Sequence, residues 1–223
     1  MSIKLFFEAI IKYLLGVILV GLLIFLPAGT LKYYNGVLLI CLLFIPMFIA
    51  GIIMMIKSPN LLKSRLDAKE QEKEQKKVVK LSGLMFILGF VIAGLSYRYE
   101  FLLVPKSIVI ISSIIFLISY LIYAEVLREN AFLARTIKVE EEQKLIEDGL
   151  YKIVRHPMYT STVFLFLSMP LILGSVISFI IFLVYPFIII KRLKNEEEVL
   201  EKELKGYKKY KEKVRYKLIP FIW

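Results

Sequence analysis

The sequence has one cysteine, one histidine and one tryptophan in 223 residues. A single thiol, Cys41, cannot close an internal disulfide. With one thiol and one imidazole there is no Cys/His set for a metal site, and none is expected. Acidic residues are scarce beside basic ones, 19 against 30, which leaves a net charge of +11. In a soluble chain that excess would suggest nucleic acid. Here the Lys and Arg residues sit beside apolar blocks, and no basic groove interleaved with aromatics is present. The positive-inside rule and anionic lipid head groups account for them more simply, so membrane lipids are the expected partner and nucleic acid is not. A Ser/Gly-rich linker, an internal repeat and a Gly-rich phosphate loop are also missing. The start does not read as a cleavable signal peptide, because the first apolar run is long and no small-residue cleavage site follows it.

What is abundant is apolar sequence in unbroken blocks. Hydrophobic residues make up 58% of the chain and mean hydropathy is +0.71, against roughly 45–50% apolar in soluble domains. A helix needs about 20 apolar residues to cross a bilayer. Leu5 to Leu26, Gly36 to Ile56, Leu81 to Tyr97 and Ser107 to Ala124 supply four spans. Between the second and third lies a charged connector, Lys57 to Lys80, whose run Lys69 to Lys77 reads as a solvated helical extension. The fold class expected is all-α: a multi-pass transmembrane bundle of four spans, a two-helix intramembrane hairpin and a C-terminal cytoplasmic helix. Residues 1–124 would carry the four spans, on the acceptor side. Residues 125–223 would form the cofactor-binding core.

The hairpin is read from Met158 to Ile190. As one straight helix at about 1.5 Å per residue this block would be roughly 50 Å long, against a hydrocarbon core of about 30 Å. Pro170 and Gly174-Ser175 lie near its middle, so two short helices joined by a tight turn are predicted. The polar stretch Glu125 to His156 and the charged tail from Lys191 would then meet on one face. The connectors 57–80 and 125–157 and the tail after 190 are rich in Lys and Arg, whereas the turns at 27–35 and 98–106 are not. The positive-inside rule therefore puts that shared face in the cytoplasm of a multi-pass protein of the cell membrane.

Two clusters carry chemistry. His156 stands in the string Gly149-Leu-Tyr-Lys-Ile-Val-Arg-His-Pro-Met-Tyr159, where the polar stretch enters the membrane. Pro157 suits the first turn of the next helix, because its missing N–H would be unpaired there anyway. Unpaired N–H groups at that helix start, together with Arg155 and His156, favour a carboxylate ligand. The alternative is that Arg155 binds lipid phosphate and His156 merely marks the interface. The second cluster is Arg192-Leu-Lys-Asn-Glu196-Glu197-Glu198. Consecutive carboxylates at a helix C-terminus oppose the helix dipole. Arg192 and Glu196 are one turn apart. Glu198 reads as solvated, whereas the hairpin would carry Glu196 and Glu197 towards His156. In the tail, Tyr207 and Tyr210 could close over a ligand, while Tyr216, Phe221 and Trp223 suit an interfacial anchor.

The strings GLYKIVRHPMY, RLKNEE, LKGYKKY and VRYKLIPFIW resemble the isoprenylcysteine carboxyl methyltransferase family in its broad prokaryotic branch, which is related to phospholipid N-methyltransferases. The stretch from Asn130 to Gln143 also resembles the segment that precedes the motif there. The resemblance covers roughly residues 125–223. It implies a membrane enzyme that uses S-adenosylmethionine and methylates a lipid-soluble or prenylated acceptor entering sideways from the bilayer. By that resemblance Arg155, His156, Pro157 and Tyr159 form the cofactor pocket with Glu196 and Glu197, with Gln143 and Tyr151 as further candidates. Arg155, Arg192 and Glu197 serve catalysis, and Arg192, Tyr207 and Tyr210 serve the acceptor. Ser161 stands where relatives usually have Gly, and Lys217 where many have Arg. Both are mild departures. A phospholipid or thiol acceptor, a membrane reductase using a nicotinamide cofactor, and a non-catalytic lipid-binding protein are the alternatives.

Overall fold

Runs of Leu, Ile, Val and Phe become long helices here because only a helix satisfies its own N–H and C=O groups where water is absent. The computed structural model describes residues 3–67, 73–130, 132–133 and 143–223, with residues 73 and 74 by main chain alone. In chain order the helices are α1 (Ile3–Ala28), α2 (Tyr34–Lys57), α3 (Pro59–Leu66), α4 (Lys73–Arg98) and α5 (Lys106–Glu129). A 3-10 turn (Gly149–Lys152) precedes α6 (Pro157–Ile172), α7 (Val176–Phe182), α8 (Tyr185–Glu203) and α9 (Tyr207–Lys213). Among the described residues five stretches are long and apolar enough to cross a membrane: α1, α2, α4, α5, and α7 with α8 taken together. Helix α6 is apolar but shorter, at 16 residues.

Their outward faces are apolar at helical spacing. Leu15, Leu19, Leu22 and Leu26 of α1 are exposed, as are Ile110, Ile114, Ile118 and Leu121 of α5. Water would not tolerate so much contiguous apolar surface on a monomer, and lipid is the solvent it fits. The chain is an integral membrane protein. Cys41 lies on this exterior as a free thiol.

One core joins both halves of the sequence. Phe86 of α4 meets Phe166 of α6 and Phe182 of α7 edge-on, at 4.9 and 5.3 Å between centroids, and Phe166 meets Tyr185 of α8 at 4.7 Å. Such pairs add dispersion and quadrupole attraction to burial. Helices α1 and α4 approach closely at Gly94, where an added Cβ would meet Ile24 O at 2.5 Å and Ala28 N at 3.0 Å. Both are main-chain atoms that cannot yield as a side chain would. Gly94→Ala is therefore expected to destabilise the bundle by about 1–3 kcal/mol through overpacking, read as a lower thermal midpoint in detergent.

The expected hairpin is present, with one amendment. The chain turns at Leu173–Ser175, where Gly174 takes φ +84°, a conformation open to glycine at little cost. Ser175 Oγ then accepts the Ser178 N–H at 3.2 Å and caps α7. The returning leg is two helices rather than one, broken at Leu183-Val184. Pro186 lies in the first turn of α8 and has no N–H to give to Phe182 O, which accounts for the break.

The hairpin tip is stitched to the far end of the bundle. Val104 N donates to Gly174 O and Val176 N to Leu102 O, each at 3.0 Å. Ser96 and Ser175 hydroxyls pair at 2.8 Å, and the Tyr33 hydroxyl donates to Leu173 O. The turns after α1 and α4 and the hairpin tip thus share one end, and the hairpin runs the length of the bundle. The opposite end gathers the Lys/Arg-rich segments. There Lys12 Nζ donates to Leu66 O at 2.8 Å, Arg65 donates to the Tyr123 hydroxyl, and Lys213 pairs with Glu147 at 3.1 Å.

Helix α3 interrupts the connector that the sequence reading left as charged chain, started by Pro59 at its first position. Of the run Lys69 to Lys77, the part from Lys73 belongs to α4. Its first residues, 69–72, lie outside the described residues, as does most of the stretch 130–143.

Candidate active site

His156 caps α6 and Pro157 is its first residue, as the missing N–H requires. The preceding turn is held by Glu129 at the end of α5, whose two carboxylate oxygens accept the Leu150 N–H at 3.2 and 3.1 Å. Gly149 makes this possible with φ +59°, and a Cβ there would collide with the Glu129 carboxylate. Asn130 Nδ2 donates to the Tyr151 hydroxyl at 3.0 Å, and the Tyr210 hydroxyl donates to Tyr151 O at 2.8 Å. The Arg-His segment is thus approached from α5 on one side and α9 on the other.

Helix α8 returns beside it. Arg155 Nε donates to Glu197 Oε1 at 2.7 Å, and Arg155 Nη1 donates to Val214 O and Arg215 O at 2.8 and 2.9 Å. His156 Nε2 is 3.3 Å from Glu197 Oε1 and 3.4 Å from the Tyr207 hydroxyl. Lys217 Nζ is 3.3 Å from Glu197 Oε2. Arg155, His156 and Glu197 are 5%, 6% and 4% exposed. Buried charges survive only when paired and hydrogen-bonded, and these are. Arg155 Nη2 takes no partner among the described residues.

The neighbouring carboxylate is arranged differently. Glu196 accepts from the Tyr159 hydroxyl, which in turn accepts from Arg192 Nε at 3.0 Å. Arg192 and Glu196, one turn apart on α8, are therefore joined through a tyrosine of α6.

One cleft opens among these groups. Gln143, Tyr151, Arg155, His156, Pro157, Tyr159, Arg192, Glu196, Tyr207 and Tyr210, all singled out from the sequence, line it. Glu197 does not; it stands behind Arg155 and His156, with both oxygens engaged. Glu198 is exposed to solvent. The space enclosed is about 90 Å³, and the groove continues open beyond it. Burial pushes the Tyr151, Tyr207 and Tyr210 hydroxyls well above the usual phenol range, with nearby Glu197 and Glu196 adding to it at Tyr207. These three stay protonated and can donate hydrogen bonds.

The sequence reading missed the apolar wall: Leu133, Met158, Val199, Leu200 and Leu204 line the same cleft. A signal was available on α8, where Arg192, Glu196, Val199 and Leu200 recur at helical spacing on one face. Asn130 was named only as the start of a stretch and proves to line the cleft too.

Residues 107–206 match the model of the phospholipid methyltransferase family. The matched stretch begins with α5, holds the Arg-His-Pro string and both carboxylates, and ends just before α9. No curated protein matches the chain. The family match supports a membrane methyltransferase.

Proposed function

We propose that this protein transfers a methyl group from S-adenosylmethionine to a lipid-soluble acceptor at the basic, cytoplasmic end of its bundle. The observation that carries the proposal is that one cleft is lined by a guanidinium and an imidazole, Arg155 and His156, by a carboxylate, Glu196, and by the apolar side chains Leu133, Val199 and Leu200. That donor set fits a nucleoside with a zwitterionic tail: a guanidinium and imidazole for its carboxylate, a carboxylate for its ribose or ammonium, and apolar walls for its base. Bound there, S-adenosylmethionine supplies an electrophilic methyl carbon on a sulfonium.

The chain's own residues then have limited work. The sulfonium leaves as a neutral thioether, so no acid need protonate it, and orientation and exclusion of water carry the rate. Arg155 offers Nη2 to the cleft while Glu197 holds its Nε. Tyr207 and Tyr210 line the groove from α9, Tyr210 with its hydroxyl hydrogen held by Tyr151 O. Arg192, tethered through Tyr159, would orient an anionic acceptor.

A carboxylate acceptor of the isoprenylcysteine kind is favoured by this chemistry, because it needs no general base. Glu197 is poorly placed to serve an amine as base, because it is engaged by Arg155, His156 and Lys217. A phospholipid amine is the second reading. The family match favours it, and Glu196 would then take the proton.

Incubating purified protein with methyl-labelled donor and a membrane lipid extract is expected to yield a labelled lipid. Label released by mild base marks an ester, and label that resists it marks an amine. Binding of a reduced nicotinamide nucleotide in place of S-adenosylmethionine would turn the reading towards a reductase.

A further inference from the structure

We infer that Lys217 is a positioning residue for the donor site, acting through Glu197, and that residues 214–223 are a working part of the pocket. The inference deepens the methyl-transfer reading and rests on it. This segment lies beyond the stretch matched by the family model.

The segment straps the Arg-His string along its length. Val214 O and Arg215 O accept from Arg155 Nη1. Tyr216 O accepts the Arg155 N–H at 2.9 Å and Lys217 O the His156 N–H at 3.0 Å. Leu218 O accepts from Thr160 Oγ1 at 2.7 Å. All of these contacts use main-chain oxygens of the strap, which any residue could supply. Val214 packs among the cleft tyrosines, and Lys217 brings a charged side chain back to the site's carboxylate.

Its ammonium is fixed from two directions. Nζ stands 3.3 Å from Glu197 Oε2 and 5.0 Å over the Trp223 ring. The ring is held in turn, because the Trp223 main-chain oxygen accepts N–H groups from Lys217, Leu218 and Ile219 at 3.0, 2.9 and 3.1 Å. Cation–π attraction then keeps the ammonium where the carboxylate needs it. Trp223 thus has a task beyond the interfacial anchoring its type suggests, whereas Phe221, 87% exposed, keeps that role.

Glu197 needs this ammonium for a geometric reason. Its Oε1 serves both Arg155 and His156, so Oε2 depends on Lys217. A buried carboxylate oxygen left without a donor draws one from its neighbours. Arg155 is the nearest, and a turn of its guanidinium towards Oε2 would take Nη2 away from the cleft. Lys217 keeps Arg155 aimed at the ligand without touching the ligand itself.

The test uses the full chain in detergent, with S-adenosylhomocysteine as the calorimetric probe. Lys217→Met is expected to weaken binding about tenfold, because the ion pair that occupies Glu197 Oε2 is lost and Arg155 is drawn towards it. Lys217→Arg should stay within about twofold, since it keeps the charge and the donor. Lys152→Met, exposed and paired with Asp148, should bind as the unaltered protein does. In a Glu197→Gln background Lys217→Met should add little, because the group it acts through is gone. Unchanged affinity in Lys217→Met, or additive losses in the double variant, would overturn the inference. If Lys217→Met lowers the thermal midpoint, comparing Lys217→Arg with Lys217→Gln poses the same question. An unaltered protein that binds no probe removes the methyl-transfer reading and this inference together. Normal binding with no effect at Lys217 removes this inference alone.

Discussion

Arg155→Leu is expected to lower unfolding free energy by about 3–5 kcal/mol and to abolish donor binding. The side chain is 4% exposed and makes three hydrogen bonds, one to Glu197 and two to carbonyls of the 214–215 segment. Leucine replaces the volume but leaves Glu197 with a weaker set of donors, and it removes the donor to the buried Val214 carbonyl and the half-buried Arg215 carbonyl. An uncompensated buried charge is among the few single changes with so large an effect. Thermal unfolding in detergent reads the stability, and calorimetry with S-adenosylhomocysteine reads the binding. A variant that unfolds near the parent midpoint would show that Arg155 does not clamp the strap to α8.

Glu196→Gln is expected to weaken donor affinity by about ten- to hundredfold while turnover at saturating donor is kept. Glutamine preserves the shape and still accepts from Tyr159, but it loses the charge that a charge-assisted bond to ribose or ammonium requires. Such bonds contribute about 1.5–3 kcal/mol, which converts to that range of affinity. The opposite pattern, intact affinity with turnover down by about 10²–10⁴, would make Glu196 the proton acceptor and favour an amine substrate. The two carboxylates thus give distinguishable results if, as proposed, Glu196 meets the ligand and Glu197 works through Arg155 and His156.

That division could not be read from the chain. Adjacent residues on a helix point about 100° apart, so Glu196 and Glu197 need not face the same cleft. Which one does so depends on the rotation of α8, which is set by tertiary contacts such as buried Leu193 and Ile189. The spans were legible because runs of about 20 apolar residues have few other uses. The hairpin was legible because its block is too long for one crossing and carries Pro170 and Gly174 at its centre. The break between α7 and α8 was also marked, by Pro186, but an apolar run on both sides hid it. Helix α3 was masked by the charge around it: only Leu61 and Leu62 bury, too few to give a period. The lining of the cleft was half legible. Its polar members stand out in an apolar chain, whereas Val199, Leu200 and Leu204 look like any other core residues.

The far-end stitching of the hairpin works as a datum for the site at the other face. Because Gly174 and Val176 are bonded to the loop at Leu102 and Val104, neither leg can slide along the bundle axis. His156 and Glu197 are therefore set at heights counted in residues from a common origin, one down each leg. One residue inserted into α6 would offset its motif by about 1.5 Å and swing it by about 100°. The alignment of the cleft at the basic end is thus calibrated at the opposite end of the bundle.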